Sequence, residues 1–250
     1  MLSRYVLRNM AMANNLSRVS RSFSASTVAL DKCYELRTYA VLPGAFPEYV
    51  SLTKEMMHLR IAHSKLIGYW LADLGALNQA VHIWEYDNFT HRKKVRANLA
   101  SDQNWLDSYL SKMTKMLAYQ DNSTMKQMPW CSIESQPRKE AGIYELKEMI
   151  MKPVGPHVWG DVMQRSVLTQ AAAHDKRNYG KLMGAWMGDF GKSSAFYQLW
   201  NFESLDHRIA QKAEIESLPE VRETGAAVEK FMTEHVTSKA LLPMPFSPLQ

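Results

Sequence analysis

The stretch Leu66-Ile67-Gly68-Tyr69-Trp70-Leu71-Ala72-Asp73-Leu74-Gly75 is written a second time, 116 positions later, as Leu182-Met183-Gly184-Ala185-Trp186-Met187-Gly188-Asp189-Phe190-Gly191. The match runs on without a gap: Trp84 meets Trp200, Tyr86 meets Phe202, and His91-Arg92 meets His207-Arg208. Of the 27 positions from 66 to 92, eight are identical to their counterparts, and they account for four of only seven tryptophans. Upstream, Tyr34-Glu35-Leu36-Arg37 meets Tyr144-Glu145-Leu146-Lys147 at an offset of 110, so the second copy gains residues in its first helix. Downstream, Met128-Pro129-Trp130 meets Leu242-Pro243-Met244. A repeat of this length settles the architecture before any single motif does.

Each copy reads as the same series of elements. Residues 33–41 alternate apolar and polar, as a strand does. Pro43-Gly44 breaks it, and Pro47 suits the first turn of a helix, whose buried face is expected at Phe46, Val50, Met57 and Ile61. Strands are expected over 66–73 and 78–86, joined by a turn in which Gly75 supplies positive φ. Asn88 or Thr90 caps the next helix. Its apolar stripe through Trp105, Tyr109 and Met113 runs to about 119, and a last strand is placed near 125–133. The second copy repeats this over 142–151, 156–178, 181–189, 194–203, 205–236 and 238–243. The order β-α-β-β-α-β is ferredoxin-like. The expected fold is therefore α+β, with two tandem ferredoxin-like modules (32–136 and 140–250) whose antiparallel sheets face each other. Neither face of strand 78–86 is properly polar, as expected when helices cover one side and a second sheet the other.

The net charge of +5 comes almost entirely from residues 1–30, which hold Arg4, Arg8, Arg18 and Arg21, no Lys and no acid. Without them 26 basic residues face 25 acidic ones, and no basic stripe remains to follow a nucleic-acid backbone. The same segment is Ser-rich and amphipathic when wound as a helix, the composition of a mitochondrial transit peptide with cleavage expected near 23/24. Only Cys33 and Cys131 are present, with no C-x-x-C, so free thiols are expected and no zinc site. No apolar run is long enough to span a bilayer as a helix.

The pattern Gly68-x-Trp70-x-x-Asp73-x-Gly75, through Trp84-x-Tyr86 to His91-Arg92, resembles the NIPSNAP family, and the similarity covers nearly all of 32–250 in both copies. The resemblance implies a dimeric α+β barrel fold built here from two halves of one chain, a mitochondrial (matrix) location, and a non-enzymatic adaptor role in mitochondrial quality control or vesicle traffic, with mitochondrial or autophagy-related protein partners. A homo-oligomer stays open. The alternative is a small-molecule- or haem-binding barrel, or a cofactor-independent enzyme, using the barrel interior; relatives with this barrel bind haem or polyketide-like ligands.

Among single residues, His82 stands out mid-strand beside Trp84, where the second copy has Gln198 beside Trp200. If that face lines the barrel, the four would floor a small-molecule pocket, since such pockets are apolar with a few convergent polar groups. His91-Arg92 and His207-Arg208 each sit just inside a helix N-terminus. Their recurrence favours a structural role, with each arginine forking a carboxylate of its own copy. Asp73 and Asp189 read as turn formers. Trp130-Cys131-Ser132-Ile133 fits the aromatic-x-x-aliphatic core that autophagy adaptors read by strand addition. No catalytic, metal-binding or cofactor-binding motif is found: there is no G-x-S-x-G, phosphate-cradling glycine loop or H-E-x-x-H.

Overall fold

The computed structural model describes residues 31–137 and 142–250. The expected transit peptide and its cleavage point lie outside the described residues, as does part of the boundary between the copies. In the first half the elements are β1 (Cys33–Val41), α1 (Phe46–Ile61), β2 (Lys65–Leu74), β3 (Gln79–Tyr86), α2 (Phe89–Ser101), a helical segment α3 over 103–116, and β4 (Leu117–Gln127). The second half has β5 (Ile143–Met151), α4 (Pro156–Lys176), β6 (Lys181–Gly188), β7 (Ala195–Phe202), α5 (Leu205–Ser217), α6 (Pro219–Glu229) and β8 (Met232–Pro243).

The eight strands close into one antiparallel barrel in the order β1-β3-β2-β8-β5-β7-β6-β4. This differs from two sheets set face to face. The halves join edge to edge through backbone hydrogen bonds, with Trp70 opposite Pro243 along β2–β8 and Gln127 opposite Trp186 along β4–β6. Closure satisfies four strand edges that would otherwise stay open.

The interior is packed by alternate residues of every strand, among them Tyr34, Leu36, Trp70, Val81, Ile83, Tyr144, Leu146, Trp186, Tyr197 and Leu199. The Gly-x-Trp signature has its reason here. A Cβ on Gly68 would stand 2.2 Å from the Trp70 ring, and one on Gly184 2.2 Å from the Trp186 ring, so each glycine makes room for an indole folded back over it. A β-bulge sits at the same place in both strands, between Leu66 and Gly68 and between Leu182 and Gly184, and turns the following residues inward. Each indole then meets a tyrosine of the other half: Trp70 lies 5.5 Å from Tyr144, and Trp186 6.2 Å from Tyr34. The turn glycines brace the same seams. Gly75 and Gly191 take φ of +80° and +84°, and each would press a Cβ against the bridging strand of the other half, at Ser238 O and Asn122 O respectively.

Four sequence expectations are corrected. The last strand of each half starts earlier than read, at 117 instead of about 125 and at 232 instead of 238, and 205–229 divides into two helices before Pro219. Residues 118–122 are exposed, and Gln120, Asp121 and Asn122 are polar, so no apolar alternation marked them; β4 is held by backbone pairing to β1. The buried face of α1 is Tyr49, Thr53, Met57 and Arg60, with Phe46, Val50 and Ile61 only half-buried. Finally, Trp130–Ile133 lies beyond β4 and not in a strand. Trp130 stacks on Phe196 at 6.3 Å, and the Cys131 and Glu134 amides bond Met128 O and Met183 O, so the segment is built into the fold.

Candidate functional site

The strand face bearing Ala80, His82, Trp84 and Tyr86 points away from the barrel interior and lies under α1, α2 and α3, packed with Tyr49, Met57, Leu99, Trp105, Tyr109 and Met113. The expected barrel-interior pocket is therefore corrected: Val81 and Ile83 face the interior, and side chains fill it. A cavity of about 230 Å³ remains instead between the sheet and the helices of the first half, with His82 and Trp84 in its lining. Gln198 lines a separate, wider cleft of about 960 Å³ in the second half, so His82 and Gln198 do not converge on one site.

His82 is 3% exposed, stacked on Tyr69 at 4.6 Å and met edge-on by Tyr39 at 4.8 Å. The indole N–H of Trp84 donates to its Nδ1 over 2.6 Å, while its Nε2 has no partner. Burial, and then the charges of Arg37 and Arg60, hold its pKa well below the ordinary imidazole value. The ring is thus neutral, and with Nδ1 accepting, its one proton sits on Nε2. A residue of the cavity lining thus carries a buried N–H donor without a protein partner. The second half repeats half of this device, since the Trp200 indole donates to Gln198 Oε1 over 2.8 Å.

Around His82 the wall carries three guanidinium groups and no carboxylate: Arg37, Arg60 and Arg96. Arg60 comes from the last turn of α1, lies flat on Trp84 at 3.9 Å, and donates to Ser64 Oγ (2.6 Å) and Tyr86 OH (2.9 Å). Arg37, from β1, reaches Gln120 Oε1 at 3.2 Å and leaves its buried Nε unpaired. Arg96, from α2, is exposed at the mouth. Trp105 and Tyr109 close the cavity from α3, their rings 4.8 Å apart; this segment contains a π-helical turn, Leu106–Leu110, a local widening common where helices meet ligands.

Behind the cavity, Glu35 is fully buried. Arg92 forks it with Nε–Oε2 at 3.2 Å and Nη2–Oε1 at 2.8 Å, while Asn122 and Tyr86 add hydrogen bonds of 2.7 and 3.1 Å. Burial pushes the Glu35 carboxyl up, but the Arg92 hydrogen bond, the Arg37 and Arg92 charges and the Asn122 amide outweigh it and hold the pKa at about 2. In the second half Arg208 forks Glu145 in the same way, and Ser238 on β8 donates to that carboxylate as well. His91 and His207 stay local: their backbone amides take the caps offered by Asn88 and Ser204. Asp73 is exposed at the end of β2, and Asp189 reaches Lys126 across the β4–β6 seam at 3.9 Å.

Sequence reading missed Glu35 and Glu145 as the carboxylates, although both stand inside a segment recognised as repeated. It also missed Arg37, Arg60 and Arg96. Arg37 shared the same repeated segment, but nothing local distinguishes Arg60 from a solvated helix-end arginine.

A closed antiparallel barrel carrying helices on its outer face, with a ligand-sized cavity beneath them, defines an α+β barrel protein. Two solved structures share the fold at low sequence identity: one from Fusobacterium nucleatum (TM-score 0.64, 8% identity, covering 86% of this chain and 93% of that one), and an anthrone oxidase-like protein (TM-score 0.58, 8% identity, 88% and 94%). The NIPSNAP family model matches the chain twice, over residues 34–132 and 144–248, and the chain belongs to that family. Protein NipSnap homolog 3A of Homo sapiens is 34% identical over 251 residues, 94% of this chain and 98% of its own. Protein NipSnap homolog 3B of Mus musculus is 36% identical over 220 residues, 87% of this chain and 85% of its own.

Proposed function

We propose that this protein binds a small molecule in the cavity between the sheet and α1–α3 of its first half. The observation that carries this is His82: a buried, neutral imidazole whose Nε2–H lacks a partner at the wall of a 230 Å³ cavity. Leaving a buried donor unpaired costs about 1–3 kcal/mol, a cost that a ligand acceptor would remove. Two equivalent modules, 32–136 and 140–250, with His82 present in only one of them, fit a division of labour in which the first half binds and the second completes the barrel.

Haem does not fit the first cavity, whose volume is not far above the roughly 150 Å³ that accommodates benzene. The second cleft is wide enough; among the described side chains its lining holds Met149, Met163 and Met232 but no His, Cys or Tyr as an axial ligand.

Native mass spectrometry of the purified full chain should show a bound small molecule or a saturable site for one. His82→Phe should weaken that binding while unfolding stays cooperative. Lower stability with unchanged binding would make His82 a packing residue only and defeat the proposal.

A mitochondrial setting and a role in quality control or vesicle traffic belong to the proposal too, supported by the composition of residues 1–30 and by the family. Trp130–Ile133 would have to be released for that role, because Trp130 stacks on Phe196 and the buried Cys131 bonds its amide to Met128 O. Residues 1–30 fused to a reporter should direct it to mitochondria, and Arg4, Arg8, Arg18 and Arg21 changed to Glu should abolish this. A diffuse signal from the unmutated fusion would refute the location.

A further inference from the structure

Resting on the binding reading above, we infer that the first-half cavity selects a flat, apolar organic anion of the carboxylate class, held by Arg37 and Arg96 against the aromatic walls of Trp84, Trp105 and Tyr109.

Apart from the Gln120 amide and the hydroxyls of Tyr39 and Tyr109, which can also accept, the polar groups of the lining are donors. Tyr109 shares its hydroxyl with Thr53 at 3.0 Å, and Gln120 accepts from Arg37. Arg60 has little left to give, since Ser64, Tyr86 and the face of Trp84 already engage it. Arg37 keeps a buried Nε–H free, and His82 keeps its Nε2–H. Arg96 has no ion-pair partner among the described residues, and its planar fork matches a carboxylate.

Charge points the same way. Arg37, Arg60 and Arg96 line the cavity with no acid among them. Behind the cavity, Glu35 is forked by Arg92 and lies 3.5 Å from Arg37, so this one carboxylate stands beside two guanidinium groups. An excess of positive charge next to a low-dielectric wall favours an anion. The second cleft is different. It carries Lys147, Arg208, Lys212 and Arg222 against Glu145, Glu216, Glu223 and Glu229, so its charges cancel. The halves share a frame, but only the first has an unbalanced cationic wall.

Size and shape supply the rest of the ligand. Leu99, Ala100, Leu110, Met57 and Met113 make the remaining wall apolar, and the Trp105 and Tyr109 rings favour a flat partner. The volume suits a substituted one- or two-ring molecule.

The full chain is titrated by calorimetry with 1-naphthoate, its neutral isostere 1-naphthamide, and 1-naphthylmethylamine as the cation. We expect naphthoate to bind at least about tenfold tighter than the amide, the amine to bind weakest, and added salt to weaken naphthoate alone. Arg96→Gln, at an exposed position that should not disturb folding, should cut naphthoate affinity about three- to tenfold and leave the amide unchanged. Arg37→Gln should do the same more strongly. Equal or tighter binding of the amide would overturn the anion assignment while leaving the pocket itself standing. Binding of naphthoate that survives both arginine variants but is lost in Lys147→Met would move the site to the second cleft and overturn the inference. Binding of none of the three, with the chain folded, would overturn the inference and count against the pocket.

Discussion

Glu35→Ala is expected to destabilise the protein by about 3–5 kcal/mol at neutral pH, the range for breaking a buried ion pair and leaving its partner unpaired. Glu35→Gln isolates the charge. The folded Glu35 carboxyl titrates at about 2 against an ordinary value of 4.5. Its stabilising contribution is therefore complete above pH 4.5 and is lost as pH falls towards 2. The depression corresponds to about 3 kcal/mol. Urea denaturation as a function of pH should show the wild type and Glu35→Gln separated by this amount at pH 7 and converging as pH falls from 4.5 to about 2. A gap that stays constant from pH 7 to 2.5 would show that the charge is not what Glu35 contributes. Some acid sensitivity should persist in Glu35→Gln, because Glu145 in the second half is also held below its usual value by Arg208, Lys147 and Ser238 against the effect of burial. The arginine partners should respond to geometry more than to charge. Lysine keeps the cation but cannot make the two-pronged contact, so Arg92→Lys and Arg208→Lys should cost nearly as much as the corresponding alanine variants. If lysine restores most of the stability, point charge alone ties helix to sheet.

Gly68→Ala should cost about 2–3 kcal/mol through a single added carbon. The Cβ would lie 2.2 Å from the outer ring carbons of Trp70, and Trp70 is fully buried inside the barrel against Tyr144 of the other half, with nowhere to retreat. Trp70→Phe removes the atoms that clash. Alone it should also destabilise, by opening a cavity. Combined with Gly68→Ala the two losses should not add, and the double variant should recover about 1–2 kcal/mol relative to their sum. Gly184→Ala with Trp186→Phe should repeat the result across the pseudo-twofold, since that pair has the same 2.2 Å approach. Strict additivity in a denaturant-based double-mutant cycle would mean that the Gly-x-Trp spacing reflects something other than this contact.

Residues announce themselves in the sequence to very different degrees. Gly68, Trp70 and Gly75 were visible as a repeated pattern because each meets a local requirement of strand or turn, and that requirement occurs once in each half. The element order and most boundaries were legible for the same reason: strand alternation, helix periodicity, Pro at helix starts and Gly at turns are short-range effects. Where long-range pairing took over, the reading slipped. Residues 118–122 form a stretch of strand that is exposed and lacks apolar alternation, and only β1 alongside makes it one. Arg60 looked like a solvated helix end, yet it lies buried on Trp84.

From the chain alone came the duplication, the α+β class, the family resemblance and the pairing of His82 with Trp84 on one strand face. Which side of the sheet that face would take could not come from it. Both faces of β3 are apolar, because one meets the barrel interior and the other meets helices, and periodicity cannot rank two buried sides. The choice was made when β2 joined β8 and β4 joined β6: closure turned Val81 and Ile83 inward and left His82 beneath α1–α3, among arginines that are remote in sequence. Edge pairing between halves and the gathering of Arg37, Arg60 and Arg96 around one imidazole depend on contacts between distant segments, and such contacts leave no local mark on the residues that make them.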